Sequence, residues 1–323
     1  MLEKFLPVLI RCSKHPGTEI IVADNNSEDD SIRVMREKFA EILFIRLEKN
    51  YGFAEGYNKA LRMVEAEYYI LLNSDVEVTE NWLTPLIDYM DSHPDTAACQ
   101  PKLSSYNNPE LFEYAGASGG YMDKWGYLYC RGRIMNSVER DHGQYDDTVP
   151  VFWATGAALM IRSEDYWKVG GLDARFFAHM EEIDLCWRLG RIGRKIVCVP
   201  ASKVFHVGAA TLRRENPFKT FLNFRNNLLT LYKNLPEKEL RNVMRIRFFL
   251  DMLAALMFLF QGKFRDSGAI IRARADFARM RPEYKEEREK LVNCEVVGDI
   301  VERSNLSILW QYYFRRIREF SSL

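Results

Sequence analysis

Apolar residues recur at helical spacing over positions 1–18, and His15-Pro16-Gly17 closes that stretch. A short apolar run, Ile20 to Ala23, then leads into the polar loop DNNSEDDS, which reads as a buried strand followed by a turn. Ser31 to Phe39 has helical spacing, and Ile42 to Leu47 is a second apolar run, followed by KNYGF. Ala54 to Glu65 reads as a helix, and Glu67 to Leu72 as a third strand ending at NSDVEV. Strands and helices alternating across short polar turns predict a mostly parallel α/β sheet. Ligands of such sheets collect at the carboxyl ends of the strands, where all three polar clusters fall. From about 97 to 152 the pattern loosens into Gly, Tyr, Asn and Asp residues, as expected of irregular or short-strand structure around a cleft. Within it, Ala117 to Arg133, rich in Gly, Tyr and Trp, is either a substrate-contacting segment or an aromatic loop packed on itself. Residues 153–215 are compact again, and beyond Pro217 the pattern predicts helices to the end. The expected organisation is an α/β domain over 1–215 and a helical extension over 216–323, with no internal repeat.

The chain has 323 residues, 47% of them apolar and 28% charged, the balance of a folded globular protein. Its 45 Lys+Arg equal its 45 Asp+Glu, so no general attraction to nucleic acid is expected. Cys12, Cys99, Cys130, Cys186, Cys198 and Cys294 include no CxxC pair, which argues against a disulfide framework or a zinc ribbon and fits a reducing cytosol. Met1 is followed by Glu3 and Lys4 without an apolar leader. The longest nearly apolar run, Phe248 to Phe260, contains Asp251. As a helix it spans about 20 Å, too short for a bilayer core of about 30 Å. The expected location is cytoplasmic.

Three constellations carry candidate chemistry. Asp75 and Glu77 follow the strand YYILL, as a solvated turn or as hard oxygen ligands for Mg²⁺ or Mn²⁺ that in turn hold a diphosphate. Glu181, Glu182 and Asp184 open a helical segment beside Phe176 and Phe177. The helix dipole favours acids there whatever their function, but a carboxylate among aromatic residues also suits a general base for a hydroxyl nucleophile. His206 ends the strand after KIVCVP, as a structural histidine or a third metal ligand. Residues 241–281 hold nine Arg/Lys and three Asp among many apolar residues. That composition fits either contact with an anionic membrane or a packed helical appendage with solvated arginines.

The ordered series VADNNSEDDS (22–31), NYGFAEGYN (50–58), LLNSDVEVT (71–79), WATGAALMIRS (153–163), GGLDARFFAHMEEIDLCWR (170–188), VFHVGAAT (204–211) and NFRNN (223–227) resembles glycosyltransferase family 2, most of all its bacterial rhamnosyltransferase-type members. The resemblance implies a GT-A fold, a Rossmann-like α/β sheet. It also implies an inverting transferase that moves a sugar, rhamnose being the first candidate, from a nucleotide-sugar donor to a glycan or lipid-linked acceptor in cell-surface polysaccharide synthesis. By the same resemblance Asp24 contacts the nucleobase, and Asn50, Gly52, Phe53 and Asn58 belong to the loop beside the nucleoside. Asp75 and Glu77 match the metal-binding DxD-type motif, with Glu in place of its last Asp. Glu182 matches the usual catalytic base, with Glu181 as the alternative. His206 matches a metal- or diphosphate-contacting histidine, and Arg225 with Asn226 matches an RN pair whose role the sequence does not reveal.

The alternatives are a nucleotidyltransferase, which also uses paired acids and Mg²⁺, or a degenerate sugar- or membrane-binding relative without catalysis. One departure stands out. Members of the family carry an apolar strand before the helix that matches Leu2 to Ser13, whereas Met1 falls at the start of that helix here. The expectation is therefore a sheet lacking its first strand, with unpaired backbone on two neighbouring strands and poor nucleotide binding by this chain.

Overall fold

The computed structural model describes residues 1–208, 216–292, 301 and 303–323. Ala209 to Thr211 of the VFHVGAAT motif and Cys294 lie outside the described residues. The predicted alternation forms, as α1 (Leu2–Cys12), β1 (Ile21–Asp24), α2 (Ser31–Lys38), β2 (Leu43–Arg46), α3 (Gly52–Leu61) and β3 (Tyr68–Leu72). There follow β4 (Val76–Val78), α4 (Thr84–Ser92) and the long β5 (Thr96–Ser105). The loosely patterned region is a meander of short strands, β6 (Gly120–Met122), β7 (Leu128–Cys130), β8 (Arg133–Ile134) and β9 (Ser137–Val138). Next come β10 (Val149–Pro150), β11 (Ala158–Arg162), α5 (Ser163–Lys168), α6 (Glu181–Arg191) and β12 (Lys195–His206). The C-terminal part contains α7 (Pro217–Asn234), α8 (Glu237–Phe260), α9 (Phe264–Met280), α10 (Lys285–Val292) and α11 (Ile308–Tyr313).

The main sheet has the order β10-β12-β5-β11-β3, with β4 also paired to β12. It is mixed rather than mostly parallel. β5 and β12 run parallel, as do β1 and β2, but β11 is antiparallel to both β3 and β5, and β4 and β10 are antiparallel to β12. The reason is connectivity: β11 is reached through the meander, not through a crossover helix, so no rule imposes a parallel entry. The β1–β2 pair is a separate two-stranded sheet, and β1 and β3 each pair on one side only among the described residues.

Period-two alternation divides the core. Leu71, Leu159, Ile161, Ile196 and Cys198 face one side, where α3, α5, α6 and α7 pack. Met160, Val197, Val199 and Val204 face the other, against Leu86 and Met90 of α4 and Val8 and Leu9 of α1. The helical extension builds no separate core, because Leu228, Leu229, Leu231, Val243 and Phe277 join the cluster that holds Leu185 and Leu189 of α6. Ala117 to Arg133 is largely packed on the protein: Met122, Tyr129 and Cys130 are buried, and Tyr121 and Tyr129 lie against Phe320. The five described cysteines are free.

Candidate active site

The carboxyl end of β1 and the start of α3 are tied by asparagines. Asp24 is buried and accepts from the Ser27 amide at 3.1 Å. Asn25 Nδ2 donates to the Gly52 carbonyl at 2.8 Å and to Asn50 Oδ1 at 3.2 Å, while its Oδ1 accepts from the Tyr51 amide at 2.9 Å. Asn50 Oδ1 also accepts from the Gly52 amide. Asn25 thus does more here than its place in a polar turn foretold, through the local backbone bonding that Asn favours. Gly52 has φ +77°, and a Cβ there would stand 2.5 Å from the Phe177 ring and 2.6 Å from the Phe177 carbonyl oxygen. That oxygen accepts from the amides of Phe53 (2.6 Å) and Ala54 (3.2 Å), so the N-terminus of α3 is capped by a distant loop. Asn58 stands apart from this loop. Its amide is buried and spent on Glu55, Leu172 and Tyr166, which leaves it architectural, joining α3 to the Gly170-Gly171 turn.

Beyond β3 the turn places Asp75 against the end of β12. Asp75 Oδ1 lies 3.2 Å from His206 Nε2, and both side chains are buried. On the far side of the ring, Nδ1 lies 3.3 Å from Oε1 of buried Glu113, off the line of a hydrogen bond. Burial opposes charge on the imidazole, but the two flanking carboxylates outweigh it and lift His206 to about 9. Burial likewise opposes ionisation of Asp75, and His206 more than offsets it, holding the carboxyl below its ordinary value. Glu113 lies in a loop after β5 with no motif to mark it. Glu77 is half-buried on β4 opposite Phe205 and makes no hydrogen bond or ion pair with Asp75 or His206. Of the three anticipated metal ligands, the structure pairs Asp75 with His206, and Glu77 stands two residues on, on β4.

A divalent ion fits this pair in part. Asp75 Oδ1 and His206 Nε2 stand 3.2 Å apart, close to the edge of about 3 Å of an octahedron around Mg²⁺ or Mn²⁺, and an ion there would replace the proton the pair shares, since only a neutral imidazole ligates. Among the described residues no three His, Cys, Asp or Glu side chains are grouped as a metal centre, so the remaining ligands would come from substrate phosphate and water.

Glu181 and Glu182 open α6 after a loop in which Phe177, His179 and Met180 all have left-handed φ, at 67°, 70° and 74°. Glu181 is buried and Glu182 half-buried, and Oε2 of each is shielded from solvent without a hydrogen-bond partner, as is Nε2 of His179. Burial raises both carboxyls, and Glu181 is raised further by the charge of Glu182. Burial and the charge of Lys219 push His179 down to about 4. Gly156 separates this pair from the donor side: a Cβ there would lie 3.4 Å from Phe53 and 3.7 Å from Glu182 Cβ. The adjacent Ala157 carbonyl accepts from the Asn73 amide at 3.0 Å, at the start of the turn that carries Asp75. The acidic helix start and the Asp75–His206 pair therefore flank one segment at the same end of the sheet.

Two sets of α7 residues fix the acidic loop. Asn226 Nδ2 donates to the carbonyls of Phe176 (3.0 Å), Ala178 (2.9 Å) and His179 (2.8 Å). Arg225 donates to the carbonyls of Phe176 and Arg175 and to Asn226 Oδ1. The RN pair is thus a clamp on the strained loop, a role no local pattern could show. The third acid, Asp184, is structural. It pairs with Arg188 (2.8 Å) and Lys233 (2.9 Å), and Lys233 also holds Asp173 (2.7 Å). Burial opposes the charge on Asp184, but Lys233 and Arg188 outweigh it and keep the carboxyl low.

The buried acid at β1, the carboxylate–imidazole pair after β3 and the shielded acids opening α6 thus gather where α/β sheets bind their ligands. The glycosyl transferase family 2 model matches residues 2–169, just over half of the chain, and the chain belongs to that family. It is 25% identical over 232 residues to N-acetylglucosaminyl-diphospho-decaprenol L-rhamnosyltransferase of Mycobacterium tuberculosis, a match covering 66% of this chain and 74% of that protein. It is 28% identical over 165 residues to the rhamnosyltransferase WbbL of Escherichia coli, covering 48% of this chain and 61% of WbbL. The solved structure of GalNAc-T7 with UDP, GalNAc and Mn²⁺ superposes with a TM-score of 0.62 at 15% identity. That match covers 98% of this chain but about half (54%) of the other, and it shows a shared GT-A fold. Membership of the family sets aside the nucleotidyltransferase alternative.

Proposed function

We propose that the chain transfers a sugar, rhamnose being the first candidate, from a nucleotide donor to a lipid-linked glycan acceptor by one inverting displacement. The observation that carries this reading is the pair of shielded, unpartnered carboxylate oxygens of Glu181 and Glu182 at the same sheet end as Asp75 and His206. A carboxyl raised by burial and still ionised is a stronger base than one in water. Glu182, beside Gly156 and Phe53, takes the proton of the acceptor hydroxyl. The freed oxygen bonds to the anomeric carbon as the bond from that carbon to the diphosphate oxygen breaks, and the proton stays on Glu182. Asp24, with the loop of Asn50, Gly52 and Phe53, holds the nucleoside, and Asp75 and His206 hold a divalent ion. When bound, that ion supplies positive charge against the departing diphosphate. Glu77, two residues from Asp75, is the candidate for a further ligand of that ion. A lipid-linked acceptor is supported by the name of the Mycobacterium tuberculosis relative and by the basic, apolar region 241–281. It implies work at the cytoplasmic face of an anionic membrane.

The test is a screen of nucleotide sugars with Mn²⁺, thymidine-linked rhamnose first. In that assay Glu182→Gln should lose about 10²- to 10⁴-fold in turnover while still binding nucleotide. Asp75→Asn should lose turnover together with its metal dependence. Normal turnover in both variants would refute the assignment.

A further inference from the structure

Helix α8 is turned inside out. Its buried positions are Val243, Arg247, Asp251 and Ala255, spaced by four, so the face toward the protein carries an ion pair. Its outward face carries Phe249 (63% exposed), Leu253 (53%), Leu256, Met257 and Phe260 (82%), spaced as one stripe of a helix. The turn into α9 continues the stripe with Phe264 (67% exposed). A face of this size and composition toward water is not what a solvated appendage shows.

The charges around the stripe indicate what covers it. All three acids of 241–281 are used inside the protein: Asp251 is buried against Arg247 and Arg274, Asp266 accepts from Thr220, and Asp276 pairs with Arg225 and Arg279. Apart from Arg247 and Arg274, the basic residues of this stretch are left outward. Arg241 and Arg245 lie two turns and one turn before Phe249 on the same face, Lys263 and Arg265 flank Phe264, and Arg272 is exposed on α9. Bulky apolar side chains with a basic border complement the interface of an anionic bilayer. Among the described residues no helix is long and apolar enough to cross a membrane. The surface also reaches the active site. Thr220, near the start of α7, bonds Asp266 of α9 at 2.6 Å, and Phe218 on the preceding turn packs against Phe177 of the acidic loop.

We infer that the outward stripe of α8, together with the α8–α9 turn, inserts into the interface of an anionic phospholipid bilayer and seats the mouth of the active site on it. This rests on the reading of a lipid-linked acceptor and specifies where the enzyme meets the lipid phase. The test is co-sedimentation of the full chain with vesicles of phosphatidylcholine and phosphatidylglycerol, against vesicles of phosphatidylcholine alone. Donor hydrolysis with Mn²⁺ is measured in parallel without lipid. Binding is expected to phosphatidylglycerol vesicles and to weaken in high salt. Phe249→Ser/Phe260→Ser should reduce partitioning at least about tenfold, with hydrolysis and thermal unfolding unchanged. Lys263→Glu/Arg265→Glu should abolish the preference for anionic lipid. No vesicle binding by the wild-type chain, or binding indifferent to both double variants, overturns the inference. So does a dimer abolished by Phe249→Ser/Phe260→Ser without vesicle binding, which would make a second copy the occupant. Loss of hydrolysis in the wild-type chain with vesicle binding intact would instead strike the transferase reading and leave the docking surface standing.

Discussion

The clamp of Asn226 on the 175–180 loop gives a sharp test of how the catalytic acids are held. Three residues of that loop, Phe177, His179 and Met180, are non-glycine residues in left-handed backbone. At about 1–2 kcal/mol each, the loop carries about 3–6 kcal/mol of conformational cost. Asn226 offsets part of it by donating to three carbonyls, and Asn226→Ala removes that donor from the Ala178 and His179 oxygens while the Phe176 oxygen keeps Arg225. With Arg225 and the α3 amides still in place, the loss is about 2–3 kcal/mol, or about 30- to 150-fold in the population of the observed loop. Turnover should fall by about tenfold or more, up to that ceiling, while the affinity for nucleotide with Mn²⁺, measured by calorimetry, changes little. The pH profile separates positioning from general damage. Burial raises Glu181 and Glu182, so activity should rise with pH as they ionise. A loosened loop admits water and lets the carboxyls relax toward their ordinary values of about 4.3, so the acid limb should move to lower pH in the variant. A folded Asn226→Ala enzyme with wild-type turnover and an unmoved acid limb would refute the reasoning.

Gly52→Ala places a methyl group against the Phe177 ring and carbonyl in left-handed backbone, and should cost about 1–3 kcal/mol in denaturant unfolding and weaken nucleotide binding. Gly262→Ala, at φ +74° with nothing within 4 Å of the added methyl, is the control and should cost only about 1–2 kcal/mol. Lys233→Met removes the shared cation of two buried carboxylates, Asp173 and Asp184, and should destabilise by about 3–5 kcal/mol in the same assay. Both carboxyls are held low in the folded protein. Their contribution is therefore present above the unfolded value of about 3.9 and is lost as pH falls through the depressed folded values. Wild-type stability should decline below about pH 4, and the decline should be shallower in Lys233→Met.

Local pattern carried the type and order of the elements from α1 to β3, because amphipathic period and turn chemistry are local properties, while helix ends moved by several residues: the first was read to position 18 and stops at Cys12. Strand direction was not local: β11 enters the sheet antiparallel because of the meander before it, which no period reports. The site divides the same way. Asp75 and His206 were legible as candidates, and the structure pairs them. Glu113 was not, since its partner is 93 positions away and it sits in no motif. Asn58 was placed in the nucleoside loop by family resemblance, whereas the structure ties its amide to Leu172 and Tyr166, more than 100 positions distant. Asp184 looked like a third acid of the helix start, and its structural role comes from Arg188 on the same helix together with Lys233 and Asn234 on another, the latter two out of reach of a local pattern. In α8 the count of charges was visible, but the four-residue spacing of Arg247 and Asp251 is what turns those charges inward.

The Phe177 carbonyl deserves a thermodynamic reading of its own. It closes the start of α3 on one side and belongs to the clamped segment before Glu181 on the other. Any donor that stiffens the 50–53 turn spends less of the sugar acceptor's affinity on ordering the acids, and the acceptor returns the favour by the same factor. On the proposed assignment of the two sites, occupancy of either is expected to strengthen the other through this one peptide oxygen.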